Sequence, residues 1–226
     1  MSLTLSTATV QVRDILNEDT SVFWSDTEIQ QWIQEGVMDF SSKSLMVEAE
    51  GTITLAASKL SYSSADAAFL SAIIEPYAAL YTDSTGSYKG IIKIHQRMIG
   101  NEATNTTGAP KYYAIHNHKM YIWPQTSAAV VAASGSILVL YAKATNDITL
   151  VPDEYQHIPL FYAAARCKYK DQKFAEGNAF MSIYSAGTNF ERSDKHAREE
   201  DTLDMFKVKP KGGQRGSAWT KTTTNS

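Results

Sequence analysis

The sequence predicts an α+β protein: a helical bundle of about four helices, an antiparallel β subdomain inserted into it, and a flexible C-terminal arm. Three observations carry this. Apolar residues recur at helical spacing over residues 1–47 and again over 151–204. From Glu48 the period changes to alternation, and strand signals continue to residue 150. Beyond Asp204 the periodicity is lost, so residues 205–226 read as a basic arm unable to build a core of its own.

Ala8, Val12, Ile15 and Leu16 share one face of a first helix ending near Asn17, followed by an acidic turn through Asp19. Ser25-Asp26-Thr27-Glu28 is a capping box, in which Ser25 and Glu28 satisfy each other's free backbone amides. The helix it opens runs to about Lys43 and buries Ile29, Trp32, Ile33, Val37 and Phe40, with Gly36 a weak point of roughly 1 kcal/mol against Ala. Ile53 and Leu55 alternate with Thr52 and Thr54 in a first strand; the Ser- and Ala-rich stretch after it gives no periodic signal. Tyr88 to Ile94 reads as a strand, Asn101 to Pro110 as a loop, and Lys111–Ile115 with Lys119–Trp123 as a hairpin about His116-Asn117-His118. Ile137 to Ala142 is a further strand.

The longest helical pattern follows. Tyr155, Ile158, Tyr162, Ala165 and Tyr169 form an apolar stripe, with Asp153 placed to cap the helix. Pro159 leaves two readings open: a kink there, or an irregular turn with the true helix beginning near Ile158. Phe174, Phe180, Ile183, Tyr184 and Phe190 give a second stripe, weakened at Gly177 and Gly187, and the two helices are expected to pair antiparallel.

Composition narrows the function classes. The single cysteine, Cys167, excludes an intrachain disulfide and a thiolate cluster, and reads as a small core residue. No basic region followed by an apolar run opens the chain, so synthesis and use in a reducing cytosol, or in a particle assembled there, is the expectation. The charge-free run between Lys119 and Lys143 has strand periodicity and is broken by Pro124 and Gly135, which argues against a membrane span. Residues 1–47 hold seven acids and two bases, residues 48–150 seven of each, and residues 151–204 ten acids and seven bases. The helical parts therefore carry a surplus of eight negative charges, while the arm carries five bases and no acid. An acidic body argues against phosphate-backbone binding as the main task.

Catalytic patterns occur only as fragments. Glu154 and His157 have the spacing of half a di-iron helix motif, but no second Glu-x-x-His exists. His116 and His118 belong to a hairpin turn, and Gly86-Ser-Tyr-Lys-Gly90 lacks the Walker spacing. No Gly-x-Ser-x-Gly elbow or zinc-protease helix is present. The sequence is thus read as non-enzymatic, with no catalytic, cofactor-binding or metal-binding set. The candidate partner-binding residues are Lys207, Lys209, Lys211, Arg215 and Lys221, with Trp219 as an apolar anchor.

Three stretches taken in order, Trp24 to Ile33, the hairpin Tyr112–Ile115 through Met120–Pro124, and Pro152–Tyr155 through Tyr162–Arg166, resemble the head-to-tail adaptor proteins of tailed bacteriophages. The resemblance covers roughly Val10 to Phe190. It implies a structural virion protein at the neck, assembled in the host cytoplasm as a ring of commonly twelve copies. Its partners would be the portal protein, the tail nozzle or tail tube proteins, and further copies of itself, with genomic DNA passing through the lumen unread and no membrane involved. The competing reading is a nucleic-acid-binding module that uses the basic arm.

Overall fold

The computed structural model describes residues 2–18, 23–82, 85–95, 97–98 and 107–189. Over these residues it is a mixed α/β protein with five helices and a curled seven-stranded sheet. The helices are α1 (Leu5–Leu16), α2 (Asp26–Ser44), α3 (Ala128–Ala132), α4 (Ile158–Lys170) and α5 (174–189). The strands are β1 (Glu48–Thr54), β2 (Ser61–Tyr62), β3 (Ile73–Thr82), β4 (Tyr88–Lys93), β5 (Thr107–Gly108), β6 (Tyr112–His116), β7 (Lys119–Trp123), β8 (Gln125–Thr126) and β9 (Ser136–Lys143).

Local chemistry accounts for the helix ends. Thr4 and Thr7 cap α1 reciprocally, and Asn17 closes it in the left-handed region. At α2 the Ser25 amide donates to Glu28 Oε2 and the Glu28 amide donates to Ser25 Oγ, both at 3.3 Å, as the capping-box spacing predicts. Asp153 does not cap α4: it begins a separate 3-10 turn, Asp153–Tyr155, and His157 takes the cap position without a side-chain bond. Pro159 therefore falls in the first turn of α4, where its missing amide costs nothing, and no kink is needed.

The helices enclose one apolar cluster. Ala8 and Val12 from α1, Ile29, Ile33, Val37 and Phe40 from α2, and Leu160, Ala163, Ala164 and Cys167 from α4 fill it. Gly36 is no exposed weak point. A Cβ there would stand 3.0 Å from the Pro159 carbonyl oxygen and 3.0 Å from Tyr162 Cβ, so the glycine sits where α2 and α4 cross with their backbones close together. Trp32 packs against this cluster from its edge, on the face the spacing predicts but less enclosed than Ile29, Ile33, Val37 and Phe40, with Lys170 Nζ 5.9 Å from its ring centre. α5 returns antiparallel along α4: Gly177 lies against Tyr169, Tyr184 meets Tyr162 edge-on at 5.3 Å, and Gly187 lies against Ile158. The second stripe needs correction. Tyr184 is buried and Phe180 partly so, but Phe174 and Ile183 are 61% and 49% exposed, because α5 turns its Gly177–Phe180–Tyr184–Gly187 face inward. Phe190 lies outside the described residues.

The sheet has the order β1-β9-β3-β4-β6-β7-β2, with a two-stranded β5-β8 pair beside it. Its inner face packs Ile53, Tyr62, Tyr81, Met120, Ile122, Ile137 and Val139, together with Leu70 of the 3-10 turn Ala68–Ser71, into a second apolar cluster. The expected antiparallel character holds for most pairings but not all. β4 pairs β6 in parallel, with Ile92 opposite Tyr112, and β5 pairs β8 in parallel. The long connection between Lys93 and Tyr112 permits that crossover, which a tight turn could not. The β6–β7 hairpin turns at Asn117 and His118 with φ of 48° and 55°, the positive values a two-residue hairpin requires. β3, the ten-residue strand inside the stretch without periodic signal, pairs with both β9 and β4. Pro76 is accommodated there at a register shift.

Gly36→Ala tests the helix crossing. Better helix propensity would add stability of about 1 kcal/mol, whereas overpacking between two backbones costs roughly 1–3 kcal/mol, so net destabilisation is expected. Urea denaturation of the variant checks this; an unchanged or raised midpoint would mean that the crossing has slack.

Candidate interaction surface

Three kinds of surface remain open once the two cores are filled, and each is built from regular elements. The first is a band across the outer face of the sheet. Side chains alternate along strands, so with Val139, Ala79, Ile91, Tyr113 and Ile122 turned inward, their neighbours face out. Registers Leu140↔Ala78 and Ile92↔Tyr112↔Trp123 place apolar side chains next to one another across five strands. The Ala79↔Ile91 pairing joins the two halves. Ile92 is 62% exposed, and the Tyr112 and Trp123 rings meet at 5.5 Å.

The second surface is helical. A shallow groove of about 490 Å³ lies between the start of α4 and the end of α5, lined by Tyr155, Ile158, Phe161, Ile183, Ala186 and Gly187 with Glu154 and His157 at its wall. Glu154 and His157 are both exposed, and among the described residues no group of three or more His, Cys, Asp or Glu is placed to hold a metal ion. Elsewhere on the helical part, Phe23 is 71% exposed.

The third is a basic end of the sheet. A groove of about 490 Å³ where β4 meets β6 is lined by Lys93, Ile94, His95, Ile115 and His116, and His116 pairs directly with Lys119 across the hairpin. The sequence contains the signal for this end, but a balance struck over 48–150 hides it. Residues 48–83 hold five acids and one base, residues 84–150 two acids and six bases.

Buried polar groups hold these surfaces in place. The Arg13 guanidinium, 8% exposed, donates to Glu18 at 2.9 Å, to Asp26 at 2.5 Å and to the Trp24 carbonyl at 2.9 Å, which anchors the start of α2 to α1. Gln156, 1% exposed, accepts from the Leu3 amide at 2.7 Å and donates to the Val151 carbonyl at 2.8 Å, tying the N-terminal segment to the approach to α4. Tyr184 donates to Asp39 at 2.6 Å; burial first and that bond second hold its phenol well above the usual range. On the surface, the Lys170 ammonium first and the Ser25 amide second hold the Glu28 carboxyl below the usual carboxylate range.

The sequence-predicted partner residues Lys207, Lys209, Lys211, Arg215, Trp219 and Lys221 all lie outside the described residues. Gly86 takes φ of +76° ahead of β4, and His116 and His118 stand at the hairpin turn as expected. Among the described residues no helix is long and apolar enough to cross a membrane.

Cys167 is fully buried, and burial pushes its thiol up to about 12, with nearby Glu18 adding to the effect. A thiol reagent at pH 8 is expected to label the native chain on the order of a hundredfold more slowly than the urea-unfolded chain. Equal labelling rates would place this cysteine at the surface.

Compared with protein-family models and with curated proteins, the chain matches none.

Proposed function

We propose that the chain is a head-to-tail adaptor, a non-enzymatic virion protein whose copies form a ring between portal and tail nozzle or tail tube, with DNA passing through. In this reading α1 and α2 within 1–47, together with the helices of 151–204, make one bundle of about four helices. Residues 48–150 are its inserted β subdomain, and residues 205–226 are the basic arm. The observation that carries the proposal is the pair of dissimilar apolar surfaces: the band with Leu140 and Ile92 on the sheet, and the helical groove with Phe161 and Ile183. Apolar surface left open in this way marks a site of contact. Two different patches on one subunit suit a head-to-tail interface, which closes into a ring when the rotation permits. The three motifs that resemble adaptors also stand in the adaptor order along the chain. Together these support assembly better than catalysis.

The arm would add attachment. Its five bases face a surplus of eight acids on the helical parts of each copy, so a neighbouring subunit or the portal rim offers it an acidic seat. Exposed ion pairs contribute about 0–1 kcal/mol each and are screened by salt, which leaves Trp219 as the expected hot spot.

Sedimentation velocity with and without purified portal, followed by negative-stain microscopy, tests the proposal. The chain alone is expected to run as a monomer or weak oligomer and to form rings on the portal. Truncation after Phe206 should leave the fold intact and weaken ring attachment about tenfold or more, with added salt reproducing part of the loss. A closed dimer indifferent to portal would refute the ring, and a truncated chain that attaches with unchanged affinity would refute the role of the arm.

A further inference from the structure

We propose that the end of the sheet where β4, β6 and β7 meet binds the phosphodiester backbone of nucleic acid without regard to base sequence. Lys93, His95 and His116 line one groove of about 490 Å³ there. Lys119 is paired with His116, and Arg97 follows just beyond β4. All five side chains are exposed, so none is spent on the core. Between Asp83 and Asp147 the sequence has six bases against one acid, Glu102. The segment that supplies this end is therefore basic although the chain as a whole carries −3, with Glu75 of β3 the acid beside Lys93.

The donors suit phosphate. The Arg97 amide donates to His95 Nδ1 at 3.3 Å, which leaves the proton of a neutral ring on Nε2 as a donor for a ligand. Lys93 meets Glu75 only at 3.8 Å, with both side chains about half exposed, a loose pair that a phosphate can displace. Lys89 and Lys93 lie four residues apart on one face of β4, about 13 Å. Duplex DNA presents about one charge per 1.7 Å of its axis, so a footprint of that size meets several phosphates. An acidic protein partner would want an aromatic anchor at the centre of the contact, whereas the apolar members of this groove are Ile94 and Ile115, both half-buried beside Lys93 and the two imidazoles. Binding at this end requires no ring.

Fluorescence anisotropy of the full chain, without portal, with a labelled mixed-sequence 30-base-pair duplex tests it. About three phosphate contacts give a log–log salt slope near −2.7, which is roughly a 40-fold loss of affinity between 50 and 200 mM salt. Lys93→Gln combined with Lys119→Gln should flatten the slope by about two and weaken binding at least tenfold at 50 mM, with an unchanged melting temperature. The same loss should appear when these substitutions are made in the chain truncated after Phe206. Absence of binding would overturn the proposal. So would binding that truncation abolishes and the double variant leaves intact, because the arm would then be the site. Competition by polyglutamate equal to that by unlabelled duplex at matched charge would overturn it in favour of an acidic protein partner.

Discussion

The approach of α2 to α4 at Gly36 is the contact on which the helical core depends. Two helices can come this close only where one of them lacks a side chain, and here the vacant Cβ position is 3.0 Å from both the Pro159 carbonyl oxygen and Tyr162 Cβ. The closeness brings Ile33, Val37 and Phe40 within reach of Ala163, Ala164 and Cys167, small residues that fill the remaining space. Pro159 is tolerated at this crossing. The proline stands in the first turn of α4, and its carbonyl, not its missing amide, faces the neighbouring helix. In α5, Gly177 and Gly187 instead make room for side chains of α4, the Tyr169 ring and Ile158.

The helices and the sheet are joined by polar contacts that specify geometry. A single buried hydroxyl, Ser41 Oγ, donates to the Thr145 carbonyl and accepts from the Thr145 amide, each at 3.1 Å. Both backbone groups lie where the chain has just left β9, and without Ser41 they would be buried without this partner. The Tyr77 hydroxyl donates to the Leu45 carbonyl at 2.8 Å, linking β3 to the end of α2. Since β9 is flanked by β1 and β3, fixing its exit fixes the strand on which the rest of the sheet is registered.

Much of this was legible in the sequence wherever a local pattern suffices to dictate structure. Ser25 and Glu28 announce the start of α2, His116-Asn117-His118 the hairpin turn, and the shift from helical to alternating period the entry into β1. What could not be read depends on partners remote in sequence. β3 is hidden because Pro76 and its alanines have poor strand propensity, and its place is set by β9 and β4 on either side. The parallel β4–β6 pairing has no local signature, since it is decided by the length and path of the connection. Gly36 looks like a weak point until α4, more than a hundred residues later, is seen to pack against it. Phe174 and Ile183 fit a helical stripe with Tyr184, but three apolar positions on a helix do not say which face a partner helix covers. The basic sheet end was visible in composition and was lost by averaging across Asp83.

The separation of charge and apolar surface constrains what such a chain can do. Acidic side chains predominate in the helical parts, bases on the β4–β6–β7 half of the sheet, and apolar groups in the band between Leu140 and Trp123. Charge opposition of this kind favours contacts in which one copy's basic end approaches another molecule's acidic surface, or a polyanion, and disfavours like-to-like stacking. Charge sets orientation at distances on the order of 8–10 Å, beyond which salt screens it, and the apolar band then supplies adhesion once the surfaces touch. A subunit with steering and adhesive surfaces in different places has a preferred direction. That polarity is what a heterologous assembly requires and what an isologous dimer, which pairs a patch with itself, does not use.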